Sequence, residues 1–551
     1  MKKKATQRGL WTLTAVAAAV AVAGCSGNGG GGSSDGAKDT GKETGKEQQA
    51  PANLNTSGYP IVKEPLTLKM MGPKAPIHGP WEQMDLFTEM EKRTGIKFTF
   101  DTPASESYQT KKNLAFASGE VPDVFFSGPL TANDEVVYGQ QQHILIPLEG
   151  LIDKYAPNLR QILQQYPEVR SAVTLPDGHI YSLPRINNVT RDLAPTKLWI
   201  NKKWLDKLGL QPPKTTDELY EALKAFKTKD PNGNGKADEI PLTSIKIGDL
   251  RPMFLAAFGE LNGGSGYISL IGTKLNFYPT QPGYKEMLVY LNKLYKEGLL
   301  DNETFAQSSQ QLNAKGNSGV LGVVSASGGA FTAVGTDRND DYTMIAPLTS
   351  PANQTAMYPQ MSSVTRGLFS ITGKNKAPEA TMRWIDYFYS DEGSVLAVFG
   401  KENEGWKWLD AGKTQWERLT PNGMQPEEYR GGKVTPDAGT AVPTIRKQDF
   451  LAKRANTGQI GQVDKEVDDK IVKVWKPVYP LVYFNEAQQN RISALEADMK
   501  PYIEQMEGKF ITGSEPLDNW GKYVETLKKM GVDEYMKIHQ DAYDVWSKTK
   551  K

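Results

Sequence analysis

The stretch that decides the fold is PLTLKMMGPKAPIHGPWEQMDLFTEMEKRTGIKFTFDTPASESYQTKKNLAFASGEVPDVFF, residues 65–126. Leu66-Thr-Leu-Lys-Met-Met71 alternates as a strand, and a loop over 72–80 leads into a helix over 81–93 with Met84 and Phe87 on one face. Lys92 and Arg93 followed by Gly95 stop that helix, because basic side chains and a left-handed glycine suit a helix carboxyl end. Residues 96–100 are the next strand, 108–118 a helix closed by Gly119, and Asp123-Val-Phe-Phe126 a short buried strand. Strand and helix in alternation predict an α/β lobe with a largely parallel sheet. In such sheets ligands meet the loops after the strands' carboxyl ends. That rule directs attention to 73–81, which includes Trp81, and to 127–130, which includes Ser127.

Upstream, Lys2, Lys3, Lys4 and Arg8 precede an Ala- and Val-rich run over 10–23 that ends at Val22-Ala23-Gly24-Cys25. This is the pattern of a secretory signal peptide over 1–24, and the run is short for a bilayer span, which needs about 20 apolar residues. Cys25 is the only cysteine in 551 residues. Val-Ala-Gly-Cys resembles the bacterial lipobox, which implies an acylated thiol and Cys25 as the mature amino terminus. The alternative is an ordinary cleaved signal with a stray thiol, a liability in an exported chain. Residues 26–52 are almost free of large apolar side chains and are expected to be a flexible tether.

With 65 basic and 64 acidic residues the net charge is +1, and nothing suggests nucleic acid, whose binding needs a strong basic field. The length exceeds what one hydrophobic core serves, so two lobes are expected. Further along, Leu175-Pro-Asp-Gly178 predicts a turn joining 172–175 to 180–183 as a hairpin. Thr215-Thr-Asp-Glu218 caps a helix whose Leu219, Ala222, Leu223 and Phe226 form one apolar stripe. Helical patterns return over 283–297, 377–389, 464–474, 485–506 and 519–546.

After the capped helix comes Asp230-Pro-Asn232-Gly-Asn234-Gly235-Lys236-Ala-Asp238-Glu239-Ile240-Pro241. Oxygen donors at alternate positions, with Gly235 at the sixth, match the start of an EF-hand loop. A hard cation such as Ca²⁺ wants about six to eight oxygens. The candidate donors are Asp230, Asn232, Asn234, the Lys236 carbonyl, Asp238 and Glu239. Position twelve is Pro241 where an EF-hand has glutamate, so Glu239 stands in two residues early. A metal-free Asx/Gly turn is the alternative.

No catalytic constellation stands out: there is no His-Glu-x-x-His, no Gly-x-Ser-x-Gly elbow and no phosphate-binding glycine loop. Loop aromatics and one loop guanidinium are the candidate ligand contacts: Trp81, Tyr358, Trp406 and Arg185, with Ser127 at the strand end. For each, the alternative is a residue that only pins its own loop.

Several stretches together resemble one family. Ala117-Ser-Gly-Glu-Val-Pro-Asp-Val124, Asp177-Gly-His-Ile-Tyr-Ser-Leu-Pro184, Trp204-Leu-Asp-Lys-Leu-Gly-Leu210, residues 213–241 and Pro378-Glu-Ala-Thr-Met-Arg-Trp-Ile-Asp-Tyr-Phe-Tyr-Ser390 look like extracellular solute-binding proteins of carbohydrate ABC importers. The nearest subgroup is the large LplA-type and alginate-oligosaccharide-binding lipoproteins. The resemblance implies a two-lobed, periplasmic-binding-protein-like α/β fold with crossing hinge segments and a ligand cleft between lobes. It implies signal peptide 1–24, lipidated Cys25 with a linker over 25–60, a first lobe from 61–190 and roughly 355–405, and a second from roughly 191–354 and 406–551. It further implies a structural Ca²⁺ on Asp230, Asn232, Asn234, Lys236, Asp238 and Glu239. The expected protein is a monomeric, non-enzymatic, lipid-anchored receptor on the outer face of the membrane, passing an oligosaccharide to a permease. A polysaccharide-degrading surface enzyme is the alternative, and a receptor for peptides a more distant one.

Overall fold

The computed structural model describes residues 51–549 apart from 263, 265, 425, 456 and 457; the leader, Cys25 and the tether lie outside them. The alternation read from the sequence is realised: β1 (Leu66–Met71) pairs in parallel with both β2 (Ile96–Asp101) and β3 (Val124–Phe126). Two helices, Asp85–Thr94 and Ser105–Ser118, connect them and end on Gly95 and Gly119 in the left-handed conformation. The sheet is extended by β4 (Leu183–Asn187), a short edge strand at Ile445–Arg446, and one antiparallel member over Val364–Ile371.

A second sheet is built from β5 (Lys197–Asn201), β6 (Ile240–Thr243), and two strands at Leu321–Ala326 and Tyr342–Met344. With the small hairpin of β7 (Ile268–Ile271) and β8 (Lys274–Phe277) the remaining strands are numbered in order: β9 (Leu321–Ala326), β10 (Tyr342–Met344), β11 (Tyr358–Gln360), β12 (Val364–Ile371), β13 (Trp406–Trp408), β14 (Trp416–Arg418), β15 (Ile445–Arg446) and β16 (Trp475–Pro477). The six-stranded order is β15-β4-β12-β3-β1-β2, and the four-stranded order β10-β5-β9-β6.

Each sheet has its own core. Around the first, Trp81, Phe87, Phe98, Phe126, Trp384 and Phe388 pack as buried aromatics. Gly72 is required there: a Cβ would fall 2.4 Å from the Trp81 ring and 2.3 Å from the Phe126 carbonyl oxygen. Around the second, Trp199, Phe226, Phe254, Tyr278 and Phe510 are buried with the long helix Glu486–Thr512. Thr215 caps the Thr216–Thr228 helix by accepting from the Glu218 N–H, and its predicted stripe is buried.

Three expectations are revised. The folded body begins before residue 60, since Leu54 and Ile61 are both buried in the first core. The turn at 175–178 forms, with Gly178 N–H donating to Leu175 O, but its upstream limb is helix Pro167–Val173 rather than a strand. Val169, Ala172 and Val173 recur at helical spacing and are all buried, so core packing chose the helix. The stretch after 406, expected wholly in the second lobe, returns to the first: β15 is an edge strand of the six-stranded sheet, and Val442 and Ile445 are buried in its core. Only from about Val463 do side chains join the second core.

Candidate functional site

The chain leaves the first core at the carboxyl end of β4 and re-enters it at the amino end of β12. That edge of the six-stranded sheet therefore faces the crossing segments, and the carboxyl ends of β1, β3 and β15 lie on it as well. In parallel sheets this is the edge where loops gather to make a site.

The loops at that edge converge on one short segment, 436–441. His78, in the loop after β1, accepts the Ala75 N–H at Nδ1 and so donates from Nε2 to the carbonyls of Pro436 (3.0 Å) and Ala438 (2.6 Å). Ser127, just past β3, has φ 62°, unusual for a residue with a side chain. Its hydroxyl donates to Ala441 O and shares a 2.7 Å hydrogen bond with the Thr440 hydroxyl. Arg185 on β4 reaches Asp437, 3.3 Å from Nη1 to Oδ1. Arg430 holds the other oxygen of Asp437 at 2.7 Å and pairs in turn with Glu427, which also binds Arg418.

A second run of ion pairs follows the crossing itself. Arg446 of β15 donates to Asp192, Asp192 meets Arg191, and Arg191 reaches Asp464 at 2.7 Å on helix Gly458–Lys470 of the second core. Burial opposes ionisation of Asp437, but Arg185, Arg430 and Arg446 outweigh it and hold its carboxyl below the ordinary range. Asp192 behaves likewise, with burial overcome by Arg446 and Arg191.

The junction is fastened by Lys197, the first residue of β5. Its amine donates to the carbonyls of Arg191, Ala194 and Ser327 at 2.8–3.0 Å. Burial pushes this amine down to about 8, so it keeps its proton at neutral pH and all three carbonyls keep their donor. Tyr358 donates from its hydroxyl to Thr196 O (2.6 Å), and the strand it begins pairs in parallel with β16. The last crossing is held by Arg366, which donates to Val482 O and lies 4.1 Å over the Tyr483 ring.

The five expected ligand contacts therefore divide. Ser127 and Arg185 are brought together on 436–441 at the inter-lobe edge. Trp81 is corrected to a core residue: it is 1 % exposed and stacks on Phe87 at 5.5 Å. Tyr358 is wholly buried and belongs to the junction between the two sheets. Trp406 is also packed, its indole N–H donating to Gly400 O and its ring set edgewise against Trp408, Trp416 and Phe450. All three have their faces occupied by protein, which leaves none for a ligand. Sequence reasoning missed Asp437, Arg446, Asp192 and Lys197, since ordinary charged residues scattered over 255 positions carry no local motif.

In the loop at 230–239 the Asp230 carboxylate accepts the N–H groups of Gly233, Asn234 and Gly235. The side-chain amides of Asn232 and Asn234 converge on Asp238 at 3.0 Å. Among the described residues no three His, Cys, Asp or Glu side chains form a ready metal cage. Glu239 nevertheless keeps a buried Oε1 without any partner. Such an orphaned oxygen beside an Asn- and Asp-lined turn fits a hard cation.

Residues 75–395 match the family profile of bacterial extracellular solute-binding proteins. The chain is 31% identical over 528 residues to the fructooligosaccharide ABC transporter substrate-binding protein FusA of Streptococcus pneumoniae, covering 89% of this chain and 92% of the relative. The structure of FusA with kestose superposes with a TM-score of 0.74 at 30% identity, over 87% of this chain and 99% of that one. An EF-hand mutant of FusA with fructo-nystose gives 0.73 at 29% identity, with the same coverage.

Asp437→Asn is expected to destabilise the protein by about 3–5 kcal/mol at pH 7, because it strands two buried guanidinium groups. Since its carboxyl is held low in the fold, Asp437 contributes fully above the unfolded value near about 3.9 and loses that contribution as pH falls through the folded value. Chemical denaturation across pH 2–7 checks this: the gap between wild type and variant must narrow toward acid, and a constant gap would exclude a paired carboxylate.

Proposed function

The chain belongs to the bacterial extracellular solute-binding proteins, and from that membership we propose that it is the receptor of an ABC importer that captures an oligosaccharide between its lobes. The observation that carries this reading is similarity to FusA along nearly the whole chain, crossing segments and both cores included. A fructooligosaccharide is accordingly the first ligand to test. Contacts with both lobes would favour a closed arrangement, with the Lys197 and Tyr358 junction as the hinge and the closed surface presented to a permease. Arg185 is the side chain of the first lobe placed to meet ligand hydroxyls there, whereas Ser127 is buried, with its hydroxyl bonded to Ala441 and Thr440. The protein works as a monomer and performs no chemistry on its cargo. Titration with kestose is expected to give saturable heat and a raised melting temperature, by about 2.7 kcal/mol of added stability at one hundred times Kd. Release of shortened sugar on prolonged incubation would instead favour the degrading enzyme.

We also propose lipid anchoring at Cys25 to the outer face of the membrane. Among the described residues no helix is long and apolar enough to cross a bilayer; the Val-Ala-Gly-Cys pattern supports attachment through an acylated thiol. The lipid then keeps the receptor beside its permease at high effective concentration. Cell fractionation tests it: Cys25→Ala should move the protein from the membrane pellet to the medium, and retention would argue against the lipid.

The loop at 230–239 is proposed to hold a structural Ca²⁺ through Asp230, Asn232, Asn234, the Lys236 carbonyl, Asp238 and Glu239. A bound cation would supply charge neutralisation and rigidity, not catalysis. The solved EF-hand mutant of FusA gives this reading a precedent in a relative. Chelation is expected to lower the melting temperature, with readdition of Ca²⁺ restoring it; Glu239→Gln should blunt both changes. Identical melts after verified metal removal would refute the brace.

A further inference from the structure

The second lobe has an inter-lobe edge of its own, and its sheet shows which loops stand there. Lys197 at the start of β5 is opposite Ala326 at the end of β9, and Met344 at the end of β10 is opposite Trp199. β6 runs parallel to β9. The carboxyl ends of β6, β9 and β10 therefore share the edge at which the chain arrives from, and returns to, the crossing segments. The loop after β6, residues 244–250, lies on that edge and carries Asp249.

Buried side chains fix the shape of this loop. Ser244 donates its hydroxyl to Lys246 O (2.8 Å), and Gln307 donates to Ser244 O (2.5 Å) and to the Thr243 hydroxyl (2.8 Å). Lys315 donates to Gln307 Oε1 at 3.1 Å, which sets the orientation of that amide. From β9, buried Ser325 donates to Asp249 O at 3.3 Å. Bracing of this kind under a short surface loop is what a binding group needs in order to be held ready.

Asp249 itself is a carboxylate with acceptor capacity to spare. It is half-buried, and its Oδ2 takes one long hydrogen bond, from the Lys246 N–H at 3.4 Å. Oδ1 takes none from the described residues, yet protein does not cover it completely. Arg251, two residues on, is committed to Glu507 and forms no ion pair with it. Burial pushes the Asp249 carboxyl up, against the pull of Lys246 and Arg251. Asp437 and Asp192 at the first lobe's edge have guanidinium partners; Asp249 has no cation bonded to it, and a half-buried charge of this kind is stabilised by any donor that reaches it.

We propose that Asp249 is the second lobe's saccharide contact, accepting ligand hydroxyls on Oδ1. The inference rests on the oligosaccharide reading above and supplies an acceptor to complement the donors of Arg185. Each sugar hydroxyl both donates and accepts, so guanidinium N–H groups on one lobe and a carboxylate on the other can share one ligand. Hydrogen bonds to a charged acceptor are the stronger kind. A sugar acid placed there would meet like charge, so the class of ligand is an uncharged saccharide.

Calorimetric titration of the full receptor with kestose tests the contact. Asp249→Asn keeps the size of the side chain and can still accept the Lys246 N–H. It is expected to weaken kestose about tenfold, a loss of about 1.4 kcal/mol, with the melting temperature of the ligand-free protein unchanged. Asp249→Ser, whose hydroxyl can also accept from Lys246, should show the same loss and serves if the first variant fails to fold. Wild-type affinity should fall as acid protonates Asp249, while Asp249→Asn loses that part of the pH dependence. Unchanged affinity in the folded variants, or a pH profile identical to wild type, would overturn the contact. Absence of kestose binding by wild type would instead overturn the fructan reading, and the contact with it.

Discussion

A chain that crosses repeatedly between two cores must keep its backbone polar groups satisfied where neither sheet can pair them. An unpaired buried carbonyl costs about 1–3 kcal/mol, so the crossing is where the architecture is most constrained. Lys197 meets that constraint with one ammonium placed against three carbonyls, two from the segment leaving the first sheet and one from the loop after β9. Tyr358 secures Thr196 next to it, and β11 with β16 pairs two further crossings in parallel. The result is a narrow, hydrogen-bonded junction about which two separately packed lobes can be arranged.

The inter-lobe edge depends on that junction and on segment 436–441. Two strand-end loops and strand β4 are attached to this one segment, through His78, Ser127 and Arg185. A bulge shapes the neighbouring strand: Gly367, at φ 78°, lies where a Cβ would sit 2.1 Å from the Leu130 carbonyl oxygen. Asp437 at the centre is worth its burial only because guanidinium groups approach from two directions; an unpaired carboxylate in that position would be neutral instead. Arginine suits the place better than lysine, as its planar fork can bind one carboxylate while keeping a further N–H to offer.

Much of the fold was legible locally. β1, β2, β3 and their helices follow from alternation, helical stripes and two glycine stops, and the Thr215 cap falls where its side chain predicted it. The hairpin at 172–183 failed because a short apolar run reads the same in strand and helix, and only burial of Val169, Ala172 and Val173 together separates them. The site was less legible. Trp81 and Trp406 stand in loops by sequence, yet loops adjoining a core send aromatics inward. Trp408, two residues on at the end of β13, lies on the same side of the strand but is only half-buried.

What the sequence determined alone is whatever depends on neighbours in the chain: strand–helix alternation, helix caps, and the oxygen-rich turn at 230–239. What only the tertiary structure decided is which distant residues share an environment. Arg185 with Asp437, Arg191 with Asp464, and Lys197 with Ser327 are separated by 130 to 273 positions. Their pairing is set by where two cores place the strand ends, and no local pattern of charge encodes that distance.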